Sequence, residues 1–327
     1  MPVDTLLSIR GKNVLGINPP VQDFAFFDLW SKPVGLLYLL ERMRENGNSV
    51  SFIDAIHEGA IGKKSFGREK IAAAEIDKPQ AYHGIRRNYH RFGMSREALC
   101  ERLKSAERPD IIFITSMMTY WYGGIDWLTD VLSECLPGVP SVLGGVYARL
   151  CPEHASFRGT DFIVTENWEP DVQLPAMDLY GSLPYGVTMT SFGCHLSCEY
   201  CASHLLWPRY SRRGLSCVMR ETESQVLLGA RDIAFYDDAL LIDKENYFYP
   251  MCARFNEMYG GNVNFHTPNG LHVRLIDARC AQTMKETGFA TIRLSLESID
   301  PKFAHTSSGK VARNEYASAV KNLREAG

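Results

Sequence analysis

Two runs of alternating strand and helix patterns, one on each side of a proline-containing stretch, constrain this chain more than any other feature. In the first run, Asn13-Val-Leu-Gly-Ile17, Val50-Ser-Phe-Ile53, Asp110-Ile-Ile-Phe-Ile-Thr115, Ser141-Val-Leu143 and Asp161-Phe-Ile-Val164 read as short buried strands. Between them, Pro33 to Asn46 carries Leu36, Leu37, Leu40 and Met43 at helical spacing and is closed by Gly47; Ile125, Leu128, Leu132 and Leu136 repeat that spacing. Such alternation predicts an α/β fold, with a Rossmann or flavodoxin-like open parallel sheet over residues 1–170. A ligand crevice in such a sheet lies at the carboxyl ends of the strands, which places Pro19, Pro20, Ser116, Gly144, Gly145 and Tyr147 near it.

The alternation breaks over 58–109, where Lys63, Lys64, Arg68, Lys70, Arg86, Arg87, His90 and Arg91 interrupt a stretch with few apolar runs. It reads as an inserted excursion with a solvated basic face, since Glu69, Glu75 and Asp77 dilute the charge. Residues 171–184 suit a linker. Over 185–327 four more strand and helix units follow: Gly186 to Ser191 with a helix near Glu221 to Gly229, Asp232 to Tyr236 with Lys244 to Tyr259, Asn262 to His266 with Ala278 to Thr287, and Thr291 to Leu296 with Asn314 to Ala326. Parallel strands with intervening helices build a (β/α) barrel or part of one, with chemistry at the carboxyl ends of the strands.

The first barrel strand leads directly into Cys194-x3-Cys198-x2-Cys201, three soft thiolates on one short loop. Thiolates at such spacing suit an iron-sulfur cluster, and three of them leave one iron of a cubane open to another ligand. A zinc knuckle completed by His195 or His204, an electron-transfer site closed by Cys217, and a disulfide pair with a spare thiol are the rival readings. Cys135, Cys252 and Cys280 lie within helical patterns and read as small core residues. Nine cysteines without a basic and apolar export segment point to a reducing, cytoplasmic setting, where thiols serve metals more often than disulfides. No apolar run approaches the roughly 18 residues that span a bilayer. A formal net charge of −3 gives no general basic field for nucleic acid. One basic and aromatic group, Arg209, Arg212 and Arg213 beside Trp207 and Tyr210, is the weak ground for an RNA-binding reading.

The cysteine spacing, with Tyr200 just before the third cysteine, resembles the radical S-adenosylmethionine superfamily. The first half resembles the cobalamin-binding-type domain that often precedes its barrel, through Gly144-Gly145-Val-Tyr-Ala148 and Cys151-Pro-Glu-His154. The resemblance implies a four-iron four-sulfur cluster on Cys194, Cys198 and Cys201, with S-adenosylmethionine on the open iron and Tyr200 against its adenine. It implies that Asp237 and Asp238, in the place of a Gly-Gly-Glu segment, hold the methionine end, and that Glu297 contacts the ribose or methionine. His266 and Asn269 are implied as ribose or substrate contacts. Cobalamin enters only through Asp54-Ala-Ile-His57-Glu-Gly59, which departs from the family's Asp-x-His-x-x-Gly by one residue, and a surface Asp and His in a loop is the favoured reading. A small-molecule substrate between the two domains, and a flavodoxin or ferredoxin as electron donor, are the implied partners. The family barrel has six units where four are counted, so the reading also expects a shortened barrel or a completing polypeptide, and an inactive fragment as an alternative.

Overall fold

The structure, a computed structural model, describes residues 1–172, 174–196, 198–296 and 313–327. The chain divides into two compact units, Met1–Gly181 and Ser182–Gly327.

In the first unit five parallel strands form one sheet: β1 (Asn13–Asn18), β2 (Ser49–Asp54), β3 (Ile111–Ile114), β4 (Ser141–Leu143) and β5 (Phe162–Ile163), in the order β5-β4-β3-β1-β2. This is the flavodoxin-like order. The chain leaves β1 on one side and returns on the other, so a crevice opens between the carboxyl ends of β1 and β3. Helix α1 (Val34–Glu45) buries Leu36, Leu37, Leu40 and Met43. It packs so tightly on β1 that a Cβ at Gly16 would stand 2.6 Å from the Leu40 side chain. Helices α2 (Arg96–Ser105) and α3 (Tyr122–Cys135) pack Leu99, Leu103, Leu128 and Leu132 with Ile112 and Ile114 of β3 in one core.

Two readings change here. The segment 58–109 is not all excursion, because α2 is the crossover between β2 and β3, capped by the Ser95 side chain, which accepts from the Ala98 amide. Its short apolar stripe, Leu99, Cys100 and Leu103, hides among charged residues. The true excursion is antiparallel: Ala60–Lys63 pairs with Glu69–Ile71, and Tyr89–Phe92 lies between Val21–Asp23 and Ala73–Ile76. Lys63, Lys64, Lys70, Arg86 and Arg87 are exposed on it. The second change concerns thiols. Cys100 and Cys135 are joined as a disulfide between α2 and the end of α3, where the sequence suggests Cys135 as a separate small core residue.

In the second unit β6 (Gly186–Thr188), β7 (Asp232–Phe235), β8 (Asn264–Leu271) and β9 (Phe289–Leu294) form a parallel sheet in chain order. Helices α4 (Leu215–Leu227), α5 (Tyr249–Tyr259), α6 (Ala278–Thr287) and α7 (Arg313–Ala326) complete it. Phe235, Phe255, Phe265 and Phe289 stack in the core, with ring centroids 4.5 to 6.2 Å apart. Strand β6 stops at Thr188, three residues earlier than the apolar run suggests, because Ser191–Phe192 pairs antiparallel with Ser211–Arg212 instead. The free edge of β6 is covered by a side chain: Gln225 of α4 accepts from the Val187 amide and donates to its carbonyl, each at 2.8 Å. Among the described residues no helix is long and apolar enough to cross a membrane.

Candidate functional site

The ribbon Ser191–Phe192 with Ser211–Arg212 is the neck of the cysteine loop, and it stands at the carboxyl end of β6. Gly193, one residue before Cys194, has φ +76°. A Cβ there would meet the Trp207 Cβ at 3.0 Å and the Arg209 carbonyl oxygen at 3.1 Å, so only glycine lets the chain turn this close to its own return path. The two sides of the loop are tied by ring contacts, Phe192 to Trp207 at 4.6 Å and His195 to Tyr210 at 4.0 Å.

Within the loop Cys198 is buried, while Cys194 and Cys201 are half-exposed. The Leu196 amide donates to the Cys194 Sγ at 3.4 Å and the Ser203 amide to the Cys201 Sγ at 3.5 Å. Burial pushes the Cys194 thiol up, and the negative charges of Asp238, Cys198 and Cys201 push it the same way. A buried thiol beside a carboxylate and two further sulfurs disfavours its own thiolate, and a cationic metal core would relieve that conflict at Cys194. Three soft thiolate donors on one loop suit an iron-sulfur cluster with one iron left open. His195 and His204 are exposed. Cys217 lies in the first turn of α4 with the Arg220 guanidinium 3.6 Å from its sulfur. It joins no close group of ligands among the described residues.

The remaining predicted site residues separate. Asp238 is exposed, accepts a hydrogen bond from the Ser203 hydroxyl, and its charge reaches Cys194. Tyr200 is exposed on the same loop. Asn269 is exposed at the far end of β8 and donates to the Tyr236 carbonyl at 2.8 Å. These three remain at the open end of the sheet. Asp237 does not, because it is buried and its carboxylate accepts from the Thr190 amide and hydroxyl and from the Ser191 hydroxyl. His266 likewise lies in the core: it is 0% exposed, with Nδ1 2.9 Å from the Thr291 hydroxyl and Nε2 3.0 Å from an Asp232 carboxylate oxygen. Glu297 lies outside the described residues.

The arginine group also turns inward. Arg213 donates to the Met189 carbonyl and to Glu221, which is 0% exposed; Arg212 donates to the Thr190 hydroxyl and the Ile242 carbonyl. Only Arg209 of the three is exposed, so the basic patch behind the RNA-binding reading is scaffold.

In the first unit the β1/β3 crevice is lined by Asn18, Pro19, Pro20, Ser116, Met117, Met118 and Trp121. Gly145, φ +95°, brings its backbone against Ser116, where a Cβ would stand 2.5 Å from the carbonyl oxygen. Tyr147, in contrast, is fully buried, its hydroxyl 2.6 Å from His154 Nδ1. His57 is not the surface residue expected. It is buried, with Nδ1 2.7 Å from Glu69 and Nε2 3.0 Å from the Ser31 carbonyl, so both ring nitrogens are committed. Asp54 beside it accepts from Asn18, from the Tyr180 hydroxyl and from the amides of Ile56 and His57. These residues do not offer a histidine to a cobalt ion.

The chain has a mixed α/β fold, a flavodoxin-like unit followed by a parallel (β/α) unit, similar to that of cobalamin-dependent radical S-adenosylmethionine enzymes. Two solved structures carry it: the radical S-adenosylmethionine methyltransferase TsrM from Kitasatospora setae with cobalamin and a [4Fe-4S] cluster bound, TM-score 0.63, and the cobalamin-dependent S-adenosylmethionine radical enzyme OxsB with aqua-cobalamin and S-adenosylmethionine bound, TM-score 0.62. Each is 13% identical; the matches cover 97% and 98% of this chain, and 65% of TsrM and 48% of OxsB. In sequence the chain is 28% identical over 164 residues to an uncharacterized methyltransferase of Pyrococcus horikoshii, a match covering 48% of this chain. It spans about a third, 34%, of that relative's length. No family model matches the chain.

Proposed function

We propose that this chain is a radical S-adenosylmethionine enzyme that transfers a methyl group, with Cys194, Cys198 and Cys201 holding a four-iron four-sulfur cluster. The observation that carries this reading is the placement of the three thiols on a clamped loop at the carboxyl end of the first strand of a parallel (β/α) unit. The methyltransferase names of two similar proteins support the reaction class. When bound, the cluster would supply an electron to S-adenosylmethionine on its open iron, giving a radical able to attack an otherwise inert position.

The chain's own residues do the holding. Asp238, with Ser203 fixing its carboxylate, faces the loop and suits a cationic amino group. Tyr200 offers an exposed ring to a flat base, and Asn269 offers an amide to hydroxyl groups. A corrinoid in the first unit would sit at the β1/β3 crevice, where small residues bring backbone close, and it would be held without His57. A small-molecule substrate and a flavodoxin or ferredoxin-type donor complete the proposal.

The test is anaerobic reconstitution with iron and sulfide, followed by S-adenosylmethionine and a strong reductant, with 5'-deoxyadenosine and S-adenosylhomocysteine read by mass spectrometry. Iron and sulfide in cluster ratio with either product above a Cys198→Ala control supports the reading. Stoichiometric zinc without sulfide in anaerobically prepared protein, or an intact cluster that never consumes S-adenosylmethionine, ends it.

A further inference from the structure

Asp237 and Asp238 are neighbours at the end of β7, yet only one of them faces outward. Asp237 is 4% exposed and stands where three chain segments meet. Its carboxylate takes the Thr190 amide at 2.9 and 3.0 Å and the Ser191 hydroxyl at 2.7 Å, along with the Thr190 hydroxyl. Those two residues run from the end of β6 into the neck of the cysteine loop. Burial pushes the Asp237 carboxyl up, and the Thr190 and Ser191 donors, together with the charge of Arg212, the register partner of Ser191 on the loop's returning strand, pull it back down. The same guanidinium donates to the Thr190 hydroxyl at 3.0 Å and to the Ile242 carbonyl at 2.6 Å, and lies 4.3 Å over the Tyr247 ring.

From there contact continues into the loop. Arg212 stands 5.4 Å from the Tyr210 ring, and Tyr210 stacks at 4.0 Å on His195, the residue after Cys194. The segment behind Arg212 is itself unusual: Asp243 is left-handed at φ +56° and opens the π-helical turn Lys244–Phe248. Non-glycine residues at positive φ and π-helical turns both require tertiary support to persist.

We propose that Asp237 is a positioning residue for the cluster loop, acting through Thr190, Ser191 and Arg212 to hold the loop's neck on the barrel rather than touching S-adenosylmethionine itself. The proposal rests on the reading that the loop holds a cluster. A buried carboxyl group receiving several donors is held rigidly, because every lost contact leaves a buried polar group unsatisfied. It therefore fixes where the loop begins, and with it the spacing of the three sulfurs. Asp238, one residue on, is free of that duty and faces the loop from outside.

The experiment compares wild type with Asp237→Asn, Ser191→Ala and Leu205→Ala after anaerobic reconstitution. The readouts are iron and acid-labile sulfide per chain, the electron paramagnetic resonance spectrum of the reduced cluster, and the rate at which a chelator removes iron. In Asp237→Asn the amide nitrogen faces donors, so release is expected about tenfold faster, with an altered reduced-cluster spectrum. Ser191→Ala removes one donor and keeps the carboxylate, so a smaller acceleration of a few-fold is expected; it decides the matter if Asp237→Asn does not fold. Leu205, 62% exposed on the loop, should behave as wild type when changed to Ala. Folded Asp237→Asn or Ser191→Ala with wild-type loading, spectrum and release overturns the positioning role while leaving the cluster reading standing. A wild type that takes up no iron and sulfide overturns both.

Discussion

The carboxyl ends of the two parallel sheets use charge in opposite ways. In the first unit Lys32, Asp28, Asp54, His57 and Glu69 are gathered beneath the strand ends and turned on one another: Lys32 is 1% exposed with its ammonium 3.9 Å from the Tyr180 ring centre, and Asp28 accepts from the Glu69 amide. Burial pulls the Lys32 amine down, and the carboxylates of Asp54, Glu69 and Asp28 oppose that pull. In the second unit Asp237 and the Arg213–Glu221 pair brace a loop whose three thiols stand at the open end of the sheet beside the exposed Asp238, with burial and the charge of Asp238 holding the Cys194 thiol protonated. The difference separates structure from chemistry. Opposite charges facing one another inside a scaffold hold it together, whereas soft donors gathered at an open strand end suit a ligand.

Cys198→Ala and His57→Ala should divide along that line. The first should remove essentially all cluster absorbance and leave the unfolding of the first unit unchanged, measured by iron content and by urea unfolding. The second leaves the Glu69 carboxylate and the Ser31 carbonyl without their His57 partner and should cost about 1–3 kcal/mol in urea unfolding with little change in iron loading. If His57→Ala instead abolished loading, the contrast between the two units would fail. Gly193→Ala should come next. Left-handed backbone costs a non-glycine residue about 1–2 kcal/mol, and the added methyl presses on Trp207 and Arg209, so cluster loading should fall a few-fold with most of the fold retained.

The smallest effect concerns alkaline pH. Burial pushes the Cys252 and Cys280 thiols from 9.0 up to about 12, and the Tyr247 phenol is raised for the same reason. A folded value above the unfolded one means that the folded state holds the proton more tightly. That stabilisation is fully present below about pH 9 and is lost as pH rises from there toward 12. The melting temperature of the second unit should therefore fall between pH 8.5 and about pH 10.5. In the native protein at pH 8.5, Cys252 and Cys280 should resist alkylation while the half-exposed Cys151 reacts, read by mass spectrometry.

Much of the site was legible because the information is local. Cys194, Cys198 and Cys201 are candidate ligands by spacing, and Gly193 carries a usable signal, a glycine immediately before the first cysteine. Asp237 and Asp238 look equivalent in sequence, but successive residues of an extended chain point to opposite sides, so one was drawn inward to Thr190 and the other left outside. The burial of His266 is not legible in sequence, because a position near a strand end gives no indication of which face is covered; Asp232 and Thr291, 34 and 25 residues away, enclose it. The helix Arg96–Ser105 was missed because its buried stripe is only three residues wide.

By itself, the sequence determined the α/β alternation in both halves and the soft donor set, since hydrophobic period and ligand spacing are properties of neighbours along the chain. The tertiary structure alone decided the strand order that opens the β1/β3 crevice, the commitment of both His57 nitrogens, the inward turn of Arg212 and Arg213, and the clamp at Asp237. Each depends on partners tens of residues apart, and whether a polar side chain serves the scaffold or a ligand is settled by what covers it after folding.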